Sequence, residues 1–194
     1  MTPLVMMRHG PTEWAAGKWL QGRADVPLSP SGREVVRRWR LPPVVQGSLW
    51  LSSPLGRAVE TARLLGHEPR LEPRLIEADW GEWQGHTLTE LREAMPKVLQ
   101  EAEAGGLDFR PPGGESPRDV QARVLSLLAE LGAGNRPAVA VCHKGVIRAV
   151  YALAVGWDMK DKPPDRLRDD ACHRFWLAAD GTPSVDRLNL PLVP

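Results

Sequence analysis

Apolar positions fall into two kinds of spacing along this chain. Short unbroken runs stand at "LVMM" (residues 4–7), inside "SLWLSS" (48–53) and at "AVAVC" (138–142), as expected of buried strands. "HRFWLAA" (173–179) and "SVDRLNL" (184–190) add further strand pattern. Elsewhere the apolar residues recur at helical spacing. "SPSGREVVRRW" predicts a helix capped by Ser29 or Ser31, with Val35, Val36 and Trp39 as its apolar stripe. "SPLGRAVETARLLG" predicts a second, with Ser53 as cap, Pro54 at the first helical position and Gly66 as the stop. Residues 86–104 are helical in composition and interrupted by Pro96. "ESPRDVQARVLSLLAELG" carries the clearest stripe, Val120, Val124, Leu127, Leu128 and Leu131. "HKGVIRAVYALAVG" follows the "AVAVC" strand directly as a helix.

Strands alternating with helices predict an α/β fold. The expected architecture is a three-layer α/β/α sandwich with a largely parallel central sheet. Residues 10–29, rich in Gly, Pro and Asp and without a period, read as a long loop, and so does "FRPPGG". No repeat, low-complexity tract or flexible linker divides the chain, so residues 1–194 are expected to form one domain.

Composition narrows the function classes. Charged residues make up 25% and hydrophobic ones 42%, and the formal charge is +1. That balance argues against a general nucleic-acid or membrane-surface partner. No apolar run has the length to span a bilayer, and Arg8 closes the N-terminal apolar stretch too early for a secretion signal. Cys142 and Cys172 have neither metal-type spacing nor the number of a disulfide framework, which predicts a reduced, cytoplasmic setting. The five histidines (9, 67, 86, 143 and 173) form no compact ligand pair, so no metal and no cofactor is expected.

Unusual polar residues stand where three of these strands end. Arg8 and His9 follow the first strand, Arg57 the second and His143 the third. Ligands of open α/β sheets bind beyond the carboxyl ends of the strands. If the three strands are parallel neighbours, two imidazoles and two guanidiniums converge on one spot. Each alone has a bland reading: a loop histidine, a solvated arginine, a helix cap. Their repetition at separate strand ends points to an oxyanion site.

Four stretches carry a resemblance. "RHGPTEW", "SSPLGRAVETA", "LIEADWGEWQG" and "VCHKGVIRAV" resemble, in order, the signature blocks of the histidine phosphatase superfamily, the branch containing cofactor-dependent phosphoglycerate mutases. "PPGGESPRDVQARV" is similar to another stretch recurrent there. The resemblance implies a phosphoglycerate mutase-like fold and a role for each matching residue. His9 would attack phosphorus and become a phosphohistidine. Arg8 and Arg57 would grip the phosphoryl oxygens, and a cationic His143 would donate to one of them. Glu77 would protonate the leaving oxygen and then activate water, with Glu82 as a rival in the same block. Chemistry asks that His9 be neutral at its attacking nitrogen, with the other nitrogen donating to a carbonyl.

The chain also departs from that family. Pro11 stands where an acid is frequent, and Ala15 where an asparagine usually helps hold the phosphoryl group. Thr12, Gln21 and Gly22 are the candidate replacements. Lys144 occupies a position that is usually small; it either points to solvent or adds charge at the pocket mouth. Substrate-binding candidates are therefore Arg8, Thr12, Gln21, Gly22, Arg57, His143 and Lys144. Eight tryptophans stand against one tyrosine and two phenylalanines, and Trp14, Trp19, Trp80 and Trp83 fall in or near the signature loops. They either pack those loops or, for Trp19 or Trp80, line a pocket for a flat or apolar alcohol portion.

The expected activity is hydrolysis of a small-molecule phosphomonoester through phosphorylated His9. Three alternatives stand beside it: phosphoglycerate mutase-type transfer, an α-ribazole phosphate phosphatase, and a phosphoester-binding module without turnover. A mutase needs extra basic residues for its substrate carboxylate. The stretch after Glu77 offers Arg92 and Lys97 but no adjacent basic pair.

Overall fold

The computed structural model describes residues 1–192. Its strands are β1 (Thr2–Arg8), β2 (Leu49–Ser52), β3 (Arg70–Leu71), β4 (Ala138–Cys142), β5 (Ala171–Leu177) and β6 (Pro183–Pro191). They form one sheet in the order β3-β2-β4-β1-β5-β6. β3, β2, β4 and β1 run parallel, whereas β5 pairs antiparallel with β1 and with β6. The helices are α1 (Glu13–Ala16), α2 (Pro30–Arg38), α3 (Gly56–Leu64), α4 (Leu88–Ala94), α5 (Pro96–Ala104), α6 (Pro117–Gly134) and α7 (Lys144–Val155).

The middles of the central strands are apolar because both faces are covered. Val5, Met7, Val139 and Val141 point to one side and pack with Val36 and Trp39 of the α2 region and Ala58 and Ala62 of α3. Leu4, Met6, Ala138 and Ala140 point to the other, against Val124, Leu127 and Leu128 of α6 and Val146 and Val150 of α7. Two helical layers thus enclose the sheet, as the alternation predicts.

Local capping explains three of the helix starts, those of α2, α4 and α6. Ser29 accepts the Gly32 N–H at the head of α2, and Ser116 forms a reciprocal capping box with Asp119 at the head of α6. Pro96 divides the helical stretch into α4 and α5. Three expectations change. Val35 is exposed, because only Val36 and Trp39 face the sheet. The loop after β1 contains the short helix α1, and the two-residue β3 is too short to show as a pattern. Ser53 does not cap α3, which starts at Gly56; its hydroxyl is bonded to His143 instead.

Candidate active site

The three strand ends are neighbours. β4 lies between β1 and β2, with Arg8 level with Cys142 and Ser52 level with Val141. Chain direction therefore carries Arg8-His9, His143 and the start of α3 to the same edge of the sheet.

His9 is held at both ring nitrogens. Its Nδ1 donates to the Gly10 carbonyl at 2.7 Å, because a carbonyl can only accept. Nε2 consequently carries the lone pair, and Arg57 Nε donates to it at 3.3 Å. Gly10 is required here by crowding: a Cβ would come 2.3 Å from Val36 Cγ2. Arg57 is buried, and its remaining nitrogens reach the carbonyls of Ala24 and Gly22 at 2.6 and 2.7 Å. It thereby ties the long loop to the site.

His143, the N-cap residue of α7, lies with its ring centroid 5.1 Å from that of His9. Its Nε2 is 2.7 Å from Ser53 Oγ, and its buried Nδ1 has no hydrogen-bond partner among the described residues. Glu77 comes from the segment after β3. Its carboxylate accepts the N–H groups of Ala78 at 2.9 Å and of Gly145, in the first turn of α7, at 3.3 Å. His9, Arg57 and Glu77 border a cavity of about 620 Å³, far larger than a phosphate. Trp19, Leu20, Trp80, Phe109 and Met159 form its apolar wall.

A model of the histidine phosphatase superfamily (branch 1) matches residues 4–191. The chain belongs to this superfamily. It is an enzyme of that family, and its relatives include both phosphatases and mutases. It is 37% identical, over 82% of its length and 77% of the relative's, to glucosyl-3-phosphoglycerate phosphatase of Mycolicibacterium vanbaalenii. It is 31% identical, over 92% and 89%, to a probable phosphoglycerate mutase of an Enterobacter species. Its fold is similar to a mycobacterial glucosyl-3-phosphoglycerate phosphatase in complex with inorganic phosphate, with TM-score 0.81, 29% identity and 99% of each chain covered.

Within this histidine phosphatase, Arg8, His9, Gln21, Gly22, Arg57, Glu77 and Lys144 all border the cavity. Thr12 does not. It is buried at the head of α1, where its hydroxyl accepts from the Gln21 amide at 2.7 Å, so it supports Gln21 from behind. His143 lies fully buried beside His9 rather than on the wall. Glu82 is exposed and away from the cavity. Trp19 and Trp80 both border the cavity, while Trp83 is buried with Leu91 and Leu99.

Electrostatics sets the two histidines apart from Glu77. Burial, and then the His9 ring and the Arg57 and Arg8 guanidiniums, push the His143 pKa well below the usual imidazole value, so the ring is neutral here. Burial and the same arginines lower His9 in the same direction, which suits a nucleophile. Glu77 moves oppositely: burial raises its pKa against the pull of its two N–H partners and both arginines.

Two groups escaped the sequence reading. Asp169, in the charged loop before β5, accepts from Arg8 at 2.6 Å and lies 3.5 Å from Lys144 Nζ. An acid in an irregular stretch offers no spacing to single it out. Glu115 bridges Arg23 at 2.7 Å and Arg123 at 3.3 Å and also takes the Asp79 N–H, bracing the segment that carries Glu77.

Proposed function

We propose that this protein hydrolyses phosphomonoesters of small metabolites through a phosphohistidine on His9. The observation that carries the reading is the state of His9. Nδ1 is committed to a carbonyl, Nε2 holds a lone pair, and two guanidiniums stand beside it. Arg8 and Arg57 bind the phosphoryl oxygens and supply the positive charge that phosphoryl transfer requires, so no metal enters the scheme. The Nε2 lone pair attacks phosphorus in line. As the P–O bond breaks, the leaving oxygen takes the proton of the Glu77 carboxyl. In the second half, the Glu77 carboxylate removes a proton from water, which attacks phosphorus. The P–N bond then breaks, its electron pair returns to Nε2, and inorganic phosphate departs.

His143 donates to the phosphoryl group once the dianion's charge draws a proton onto its ring. Gln21 and the Gly22 region complete the phosphate side, while Trp19 and Trp80 contact the alcohol portion. A phosphorylated sugar or glycerate fits the cavity size, and the named phosphatase relatives support that class. The two free thiols, Cys142 and Cys172, are consistent with a reducing, cytoplasmic setting. Among the described residues no helix is long and apolar enough to cross a membrane.

The test is incubation with p-nitrophenyl phosphate in the presence of a chelator. Product release together with an acid-labile phosphoenzyme that disappears in His9→Ala is the expected result. Folded protein giving neither overturns the reading. Addition of 3-phosphoglycerate with a bisphosphate primer separates hydrolysis from mutase-type transfer.

A further inference from the structure

Among the described residues, one arginine on the cavity wall has no polar partner. Arg148 lies on α7, a helical turn beyond Lys144, and its side chain borders the cavity. The other arginines on that wall are engaged: Arg8 by Asp169, Arg57 by the Gly22 and Ala24 carbonyls. Burial lowers the pKa of Arg148, and among the described residues no carboxylate offsets it. Its guanidinium carbon sits 4.9 Å above the ring of buried Trp157. The aromatic face covers one side of the guanidinium plane and leaves the N–H edge to make contacts.

The position of this edge is informative. Gly145, whose N–H holds Glu77, precedes Arg148 by three residues on the same helix. Residues so spaced share a helix face and lie about 5–6 Å apart. In the proposed reaction Glu77 protonates the leaving oxygen, so the alcohol portion extends from Glu77 along this face.

We infer that Arg148 is a specificity-determining residue that binds a carboxylate on the leaving-group alcohol. The inference rests on the phosphatase reading and adds to it a requirement on the substrate. A planar guanidinium edge matches a planar carboxylate through paired hydrogen bonds. A second phosphoryl dianion fits less well, because Arg148 is a single cation and Glu103 and Glu115 share the wall.

The experiment compares 3-phosphoglycerate with glycerol 3-phosphate, which differ only in the carboxylate, and uses p-nitrophenyl phosphate as the reference. Wild-type enzyme is expected to favour the carboxylate ester by about tenfold or more in kcat/KM. Arg148→Gln is expected to erase that preference, mainly through KM, while leaving p-nitrophenyl phosphate turnover within about twofold. Arg148→Lys keeps the charge without the fork and should retain part of the preference; it also serves if the glutamine variant does not fold. Absence of the preference in wild type, its persistence in either variant at full size, or an equal loss on all three substrates overturns the inference. Failure of the phosphatase reading looks different: no turnover of p-nitrophenyl phosphate and no phosphoenzyme.

Discussion

Asp169 reaches across the mouth of the site and holds Arg8, its Oδ2 lying 2.6 Å from Nη1. The same oxygen is 3.5 Å from Lys144 Nζ, so one carboxylate occupies two cations that a phosphate also seeks.

Asp169→Asn is therefore expected to tighten inhibition by inorganic phosphate. The pair is partly exposed, with side-chain accessibilities of 24% and 47%. Water screens such pairs, so the gain is about two- to fivefold. An unchanged or weakened inhibition constant would show instead that Asp169 serves to orient Arg8.

Gly145 leaves room for the Glu77 carboxyl, the acid of the proposed mechanism. A Cβ at this position would lie 2.5 Å from Glu77 Oε1, so Gly145→Ala displaces the carboxyl while suiting helix α7. Turnover of alkyl phosphates, which need a protonated leaving oxygen, should fall by about 10- to 100-fold, and Glu77→Gln by roughly 10²- to 10⁴-fold. A good leaving group such as p-nitrophenolate should suffer less. Because burial raises the Glu77 pKa, its acid form persists to higher pH than in an ordinary glutamate. Activity should then decline as pH rises through that folded value, and Glu77→Gln should remove this limb from the pH–rate profile.

The histidines set the acid side. In the proposed mechanism His9 attacks when neutral, and burial with the two guanidiniums holds its pKa well below 6.5, so kcat/KM should hold as pH falls past that value. Stability behaves differently. Lowered folded pKa values for His9 and His143 mean that the unfolded chain binds protons first, so stability is full above 6.5 and falls as pH drops below it. A bound phosphate dianion reverses the electrostatic balance at neutral His143. Calorimetry in buffers of different ionisation enthalpy, at about pH 8 where phosphate is already dianionic, should show net proton uptake on binding. His143→Gln should abolish it; uptake that survives this change assigns the proton elsewhere.

Trp19 and Trp80 border the cavity on what we propose is its alcohol side, and Trp19 is 45% exposed. Replacement of either by Ala should lower kcat/KM for aryl phosphates about three- to tenfold relative to sugar phosphates, the scale of losing one aromatic contact. If the ranking of the two substrate groups does not move, these rings only pack the loops.

Most of the sheet and its helical layers could be read from spacing, because burial on both faces leaves residues 4–7 of β1 and all of β4 apolar and burial on one face leaves a stripe on α6. β3 escaped because two residues contain no period. Ser53 was misassigned for a different reason. A serine before Pro54 looks like a cap, and only the approach of β4 shows that its hydroxyl faces His143.

The amino-acid order by itself determined the α/β alternation, the placing of Arg8, His9, Arg57 and His143 just beyond strand ends, and membership of a family recognisable from four short blocks. These are local properties, written in residue type and period. The tertiary structure decided the rest: which tautomer His9 adopts, that burial depresses the pKa of His143, that Asp169 claims Arg8, and that Arg148 borders the cavity with no carboxylate beside it among the described residues. Each depends on burial and on partners up to 161 positions away, and charge, unlike periodicity, is set by what surrounds a group in space.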